Sequence, residues 1–156
     1  MRKQFVKYII APLVILFVTL QFFHPDKNEG DMKLAPFLAD TNAPSEIGEI
    51  IKKACADCHT NSTKYPWYSK IAPLSFKIST HIIKGKKELN FSEWQSYSIK
   101  KREHKLEEII EELDDKEMPL KSYLLMHEEA RLTQKQIKMI KNWATTKRKA
   151  YQQRLK

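Results

Sequence analysis

Cys55-Ala56-Asp57-Cys58-His59 is the stretch on which the reading of this chain turns. Two thiols three residues apart, followed at once by an imidazole, form the attachment signature of a c-type haem. Each thiol can add to one vinyl group of a porphyrin, and the histidine can turn its ring onto the iron from the same helical turn. The chain has no other cysteine, so none is left for a structural disulfide. Two other chemistries use similar residues. A structural zinc site needs a fourth protein ligand, from His81, His104, His127 or a carboxylate, and nothing else in the chain has metal-ligand spacing. A thioredoxin-type dithiol needs a strand-helix-strand context, whereas the flanks here carry helical periodicity.

Immediately upstream, Ile47, Ile50, Ile51 and Ala54 recur at helical spacing and lead into Cys55 and Cys58 on the same side. Pro44 suits the first turn of that helix. Downstream, Ile71, Leu74, Ile78 and Ile82 form a second stripe, which Gly85 can terminate. Asn90 with Glu93 resembles a capping pair ahead of Phe91, Trp94 and Tyr97. Leu106, Ile109, Ile110 and Leu113 form another amphipathic helix. Thr133 with Gln136 reads as a capping box for the last one, with Ile137, Ile140 and Ala144 facing inward beside Trp143. Only three glycines occur in 156 residues, which disfavours a sheet-rich, tight-turn architecture. The expected fold is all-α, a haem domain of about five helices.

Farther out, Phe5 to Phe23 is almost wholly apolar, broken by Lys7 near one end and by Thr19 and Gln21 near the other. A helix of that length reaches ~28 Å, close to the ~30 Å hydrocarbon core of a bilayer. Arg2, Lys3 and Lys7 lie at its start, so the positive-inside rule leaves the N-terminus in the cytoplasm and the rest outside. A cleaved secretory signal is the alternative, but no small-x-small site follows Phe23. The expected organisation is a single-pass transmembrane helix at 1–23, a tether at 24–42, a haem-binding domain at 43–147 and a basic tail at 148–156. The expected location is the cell membrane, with the domain on its outer, periplasmic or extracellular face.

The second axial position decides what such a protein can do. Met118 lies in an aperiodic loop and is followed by Pro119, which stiffens the chain around it. A thioether can be a sixth ligand to iron, and Met118 is the expected one. Met126 and Met139 read as fillers of apolar surroundings. His81, His104 and His127 are the nitrogen alternatives, and an open or water-filled position is the third. Trp67 and Tyr68, soon after the histidine, are large enough to pack on a porphyrin or to bond a propionate.

From about Ala43 to Trp143 the chain resembles the haem-binding domain family, small single-haem proteins related to class I c-type cytochromes. The resemblance rests on Cys55 to His59, Asn61-Ser62-Thr63, Tyr65-Pro66-Trp67-Tyr68-Ser69, Ile71-Ala72-Pro73 and Leu89-Asn90-Phe91-Ser92-Glu93-Trp94. Met118-Pro119, Tyr123 to Leu125, His127, Ala130, Leu132 and Trp143 complete it. It implies an extracytoplasmic c-type haem domain.

Charge bears on partners. Glu103 to Glu117 holds eight acidic residues, and Thr133 to Lys156 holds eight basic residues and no acid. Such faces can steer a redox protein or an anionic surface, or simply be solvated. Nucleic acid is not an expected partner despite the net charge of +9, because the domain should lie outside the cytoplasm. The expected function is that of a membrane-anchored monohaem cytochrome c passing single electrons between an unknown donor and acceptor, with haem c and its iron as cofactor. The alternative is a peroxidase-like enzyme or a gas or redox sensor whose sixth position is open or labile.

Overall fold

The computed structural model describes residue 4 and residues 6–156. Arg2, Lys3 and Phe5, used above to orient the apolar run, lie outside the described residues. Among those described there are eight α-helices: α1 (Ala11–Leu20), α2 (Ala35–Thr41), α3 (Ser45–Ala54), α4 (Ala56–His59), α5 (Leu74–Glu88), α6 (Ile99–Asp114), α7 (Lys121–Leu124) and α8 (Gln134–Arg154). Short 3-10 turns at Trp67–Lys70, Phe91–Ser96 and Glu128–Ala130 join them. No strand is formed among the described residues beyond an isolated antiparallel bridge between Glu29 and Ser62.

Four of the five expected helices are α3, α5, α6 and α8. The fifth, after Asn90, is a 3-10 turn, and Asn90 still caps it by accepting from the Ser92 amide at 3.0 Å. The capping box of α8 is formed in both directions, Gln136 N–H to Thr133 Oγ1 at 3.2 Å and Thr133 N–H to Gln136 Oε1 at 2.8 Å. Helix α5 does not stop at Gly85 but runs on to Glu88.

Helices α6 and α8 pack antiparallel through Leu106, Leu113, Ile140 and Ala144, all buried. Their charges zip the same seam. Arg148 reaches Glu103 at 2.9 Å and also Glu107, and Lys141 pairs with Asp114. The acidic and basic runs therefore spend part of their charge on each other.

Three boundaries differ from expectation. Residues 24–42, expected as a tether, hold α2, and Phe37 is 0 % exposed. Its ring lies 4.5 Å from that of Phe91, 4.8 Å from Trp94 and 5.9 Å from Trp143. The cause is Asp40, whose Oδ2 accepts from Trp94 Nε1 at 2.8 Å, Arg102 Nη1 at 3.2 Å and the Tyr151 hydroxyl. The supposed tail is likewise part of the domain, because α8 continues to Arg154 to bury Tyr151 completely.

Among the described residues, the span expected over Phe5 to Phe23 is not a single α-helix. A π-helical turn, Val6–Ile10, precedes the ten residues of α1. No helix among the described residues is long and apolar enough to cross a membrane. The helix ends because Gln21 turns its amide onto the backbone of Ala72, accepting from its N–H at 3.0 Å and donating to its carbonyl at 3.2 Å. The side chains of Leu13 to Val18 remain exposed.

Candidate functional site

Helix α3 breaks at Cys55, whose φ of −124° leaves the helical range, and α4 begins at the next residue. The motif thus occupies a separate helical turn, closed by Cys58 and His59 amides donating to the Cys55 carbonyl at 3.2 and 3.0 Å. Thr60, fully buried, stops it by donating to the Ala56 carbonyl at 2.7 Å.

That turn is pressed onto α5 at Gly85. A Cβ built on Gly85 would stand 2.8 Å from the Cys58 carbonyl oxygen and 3.2 Å from Cys58 Cβ. Glycine is needed here for close backbone approach, and no side chain fits without shifting the motif.

His59 is held from the far end of α5. Its Nδ1 lies 2.9 Å from the carbonyl of Leu89, the residue that ends the helix. A carbonyl only accepts, so Nδ1 carries the proton and Nε2 presents its lone pair, the tautomer required of a metal ligand. Burial holds the imidazole below its ordinary pKa and outweighs the backbone hydrogen bonds that favour protonation. Burial also pushes the thiols up, Cys55 to about 12 and Cys58 to about 11, the latter helped by Asp57. At neutral pH both are S–H groups rather than thiolates. The zinc alternative finds no support, since no three His, Cys, Asp or Glu side chains converge as metal donors among the described residues.

The two asparagine-led segments quoted above lock together beneath the motif. Asn90 Nδ2 donates to Asn61 Oδ1 at 2.8 Å, Asn61 N–H to Ser92 Oγ at 3.1 Å and Asn61 Nδ2 to Glu93 Oε1 at 3.0 Å. From the other side Asn28 Nδ2 donates to the Thr60 carbonyl and to Thr63 Oγ1, each at 2.9 Å.

Asp57, between the cysteines, anchors a polar chain that sequence reasoning missed. Its Oδ2 accepts from the Tyr123 hydroxyl at 2.8 Å. The Tyr123 ring stacks on His127 at 4.1 Å and 15°, and His127 Nε2 lies 2.6 Å from the Tyr68 hydroxyl. His127 Nδ1 meets Glu129 at 3.0 Å. Burial, then Asp57 and Glu129, raises the Tyr68 pKa, so its hydroxyl stays protonated and donates. Burial and Asp57 raise Tyr123 in the same direction. Their spacing in the chain offers no periodic signal for this chain of contacts.

Of the other expected site residues, Tyr68 is brought to this network, while Trp67 is 71 % exposed and touches it edge-on at 5.8 Å from Tyr68. Met118 is half-buried just beyond α6. Lys116 reverses the chain with φ 59°, and the amides of Glu117 and Met118 return to the Glu112 carbonyl at 3.0 and 3.3 Å. His104 pairs with Glu107 and Glu108, and both nitrogens of His127 are engaged.

Two protonated thiols and an imidazole with a free Nε2, gathered on one half-buried turn, are a donor set that fits haem. A helical domain organised around that turn is of the haem-binding class. The chain belongs to the haem-binding domain family, whose profile matches residues 15–146. Comparison with curated proteins and with solved structures gives no match.

Proposed function

We propose that this protein is a membrane-anchored monohaem c-type cytochrome that passes single electrons outside the cytoplasm. The observation that carries the reading is the His59 ring, half-buried, oriented by the Leu89 carbonyl and presenting Nε2. A ligand so fixed needs no rearrangement to meet iron, and the carbonyl behind it strengthens its basicity.

Cys55 and Cys58 hold the cofactor through thioethers, each S–H adding across one vinyl group with sulfur on one carbon and hydrogen on the other. Haem supplies a one-electron ferric/ferrous couple when bound. Met118 would supply the second protein ligand to the iron, which would leave no place for a substrate. In support, Tyr123 ties the segment that follows Met118 back to Asp57 of the motif. The apolar side chains exposed along α1 support insertion in a bilayer, as do Thr19 and Gln21, which donate to carbonyls four residues back at 2.8 Å.

The deciding experiment is spectroscopic. Wild-type ferric protein should show the weak near-infrared sulfur-to-iron band, and the ferrous form should bind carbon monoxide poorly. Met118→Ala should abolish the band, admit carbon monoxide and lower the reduction potential, while Met126→Ala and Met139→Ala leave the spectrum unchanged. Rapid carbon monoxide binding by wild-type protein without the sulfur band would replace the carrier reading with the sensor or peroxidase one.

A further inference from the structure

A second basic run, bounded by Asp57 and by Glu88 at the end of the helix, lies on and around α5. From Lys64 to Lys87 there are six lysines and no acid. None of the six is in an ion pair among the described residues. Such a run is unlike α6 and α8, whose charges meet across their seam.

The same helix leaves apolar side chains uncovered. Phe76, Thr80, Ile83 and Lys87 recur at spacings of four, three and four, so they share one face, and Lys77 and Lys84 flank it. Ile83 is 65 % exposed, and Phe76 and Leu74 are exposed as well. A solvated face gains nothing from bulky apolar groups set within a fringe of unpaired lysines. An interfacial helix does, because the apolar groups enter the acyl boundary while the ammonium groups reach the headgroups.

What covers this face is indicated by the chain that precedes it. Gln21 clamps the end of α1 to Ala72, two residues before α5. Phe22 and Phe23 follow, both exposed, and residues 25–28 then run alongside the helix: a cavity of about 490 Å³ lies between Pro25, Asp26, Lys27 and Asn28 on one side and Ser79, Ile83 and Lys86 on the other. Lys86 closes its far end by donating to Asn28 Oδ1 at 2.6 Å. The exposed face of α5 is thereby continuous with the apolar N-terminal run.

We propose that α5 is the membrane-resting face of the domain, with Phe76 and Ile83 in the interface of an anionic phospholipid leaflet and Lys77, Lys84 and Lys87 on its phosphates. This deepens the anchor reading and rests on it. The consequence is orientation: Cys58, packed on Gly85 at the back of the same helix, is carried at a fixed distance from the leaflet.

The test uses the full-length, haem-loaded protein in vesicles doped with diazirine-labelled phospholipid, made either of phosphatidylcholine or with a phosphatidylglycerol fraction. Illumination is followed by mapping of lipid adducts by mass spectrometry. Adducts are expected in residues 6–20 in both vesicles, and in residues 74–87 only with phosphatidylglycerol. In Lys77→Gln/Lys84→Gln/Lys87→Gln the 74–87 adducts should fall about tenfold or more, with those in 6–20 unchanged and the haem spectrum intact. Adducts in 6–20 with none in 74–87, or equal 74–87 yields in the two lipids, would overturn this proposal alone. Absence of adducts in 6–20 would overturn the anchor itself.

Discussion

The motif turn and the Asp40 hub are both half-buried polar centres, and they are assembled in different ways. Around α4 the partners mix backbone and side chains and mostly come from the next element along: His59 meets a carbonyl 30 residues on and Asn61 meets Asn90 at a separation of 29, with Tyr123, 66 residues from Asp57, the exception. Asp40 gathers side chains 54, 62 and 111 residues away. The first arrangement positions chemistry, and the second closes the domain. Substitutions in the two regions should therefore fail differently, one losing cofactor and the other losing stability.

The largest effect expected is total. Cys55→Ala combined with Cys58→Ala should leave no covalent haem, read by haem staining after denaturing electrophoresis, and a stained band in the double variant would end the thioether proposal.

On the other side of the comparison, Phe37→Ala should cost about 3–5 kcal/mol in urea unfolding, because a fully buried ring among three aromatics leaves a cavity that helices cannot close. The absorption spectrum of the protein that remains folded should match wild type. A changed spectrum would show that the two regions are not separable.

Asp40→Asn should cost about 1–3 kcal/mol, the range for breaking a charged hydrogen-bond hub. Burial alone would raise this carboxyl, but hydrogen bonds from Tyr151 and Trp94 and the Arg102 charge outweigh it and hold the pKa below 3.8. A folded-state pKa below the unfolded value means that the carboxylate stabilises fully above pH 3.8 and progressively less as pH falls through the folded value. The stability gap between wild type and Asp40→Asn should shrink accordingly in acid, and a gap that widens would refute the assignment.

Gly85→Ala sharpens the contrast at the smallest scale. Alanine gains about 1 kcal/mol in a helix interior, whereas overpacking against a backbone carbonyl costs about 1–3 kcal/mol. A net loss of about 1 kcal/mol is expected, with slower haem attachment. A net gain would mean that the motif turn can slide off α5.

Much of the motif side was legible because its information is local. The Cys55 to His59 pattern, the periodicity of α3 and the capping box of α8 are each carried by residues within a few positions of one another. Gly85 misled for an instructive reason: a glycine near a helix end reads as a terminator, and only the position of Cys58 reveals that it marks close approach. Residues 24–42 misled because Pro25, Gly30 and Pro36 break periodicity, while the reason Asp40 and Phe37 are buried lies in Trp94, Arg102 and Tyr151. The apolar N-terminal run was visible as composition, but its end at Leu20 is set by Gln21 finding Ala72. Asp57 occupies a position that the motif leaves open, and its partner Tyr123 arrives from a loop 66 residues away.

The clamp between Gln21 and Ala72 has a mechanical meaning. Nineteen free residues over 24–42 would let a domain wander through a coil of root-mean-square length ~25 Å, like a buoy on a line. Docked instead at Gln21, at Asn28 and through α2, the domain has no slack and behaves as a lamp on a bracket. Its working group stands at one height above whatever holds the first twenty residues, and anything that is to meet it must travel there.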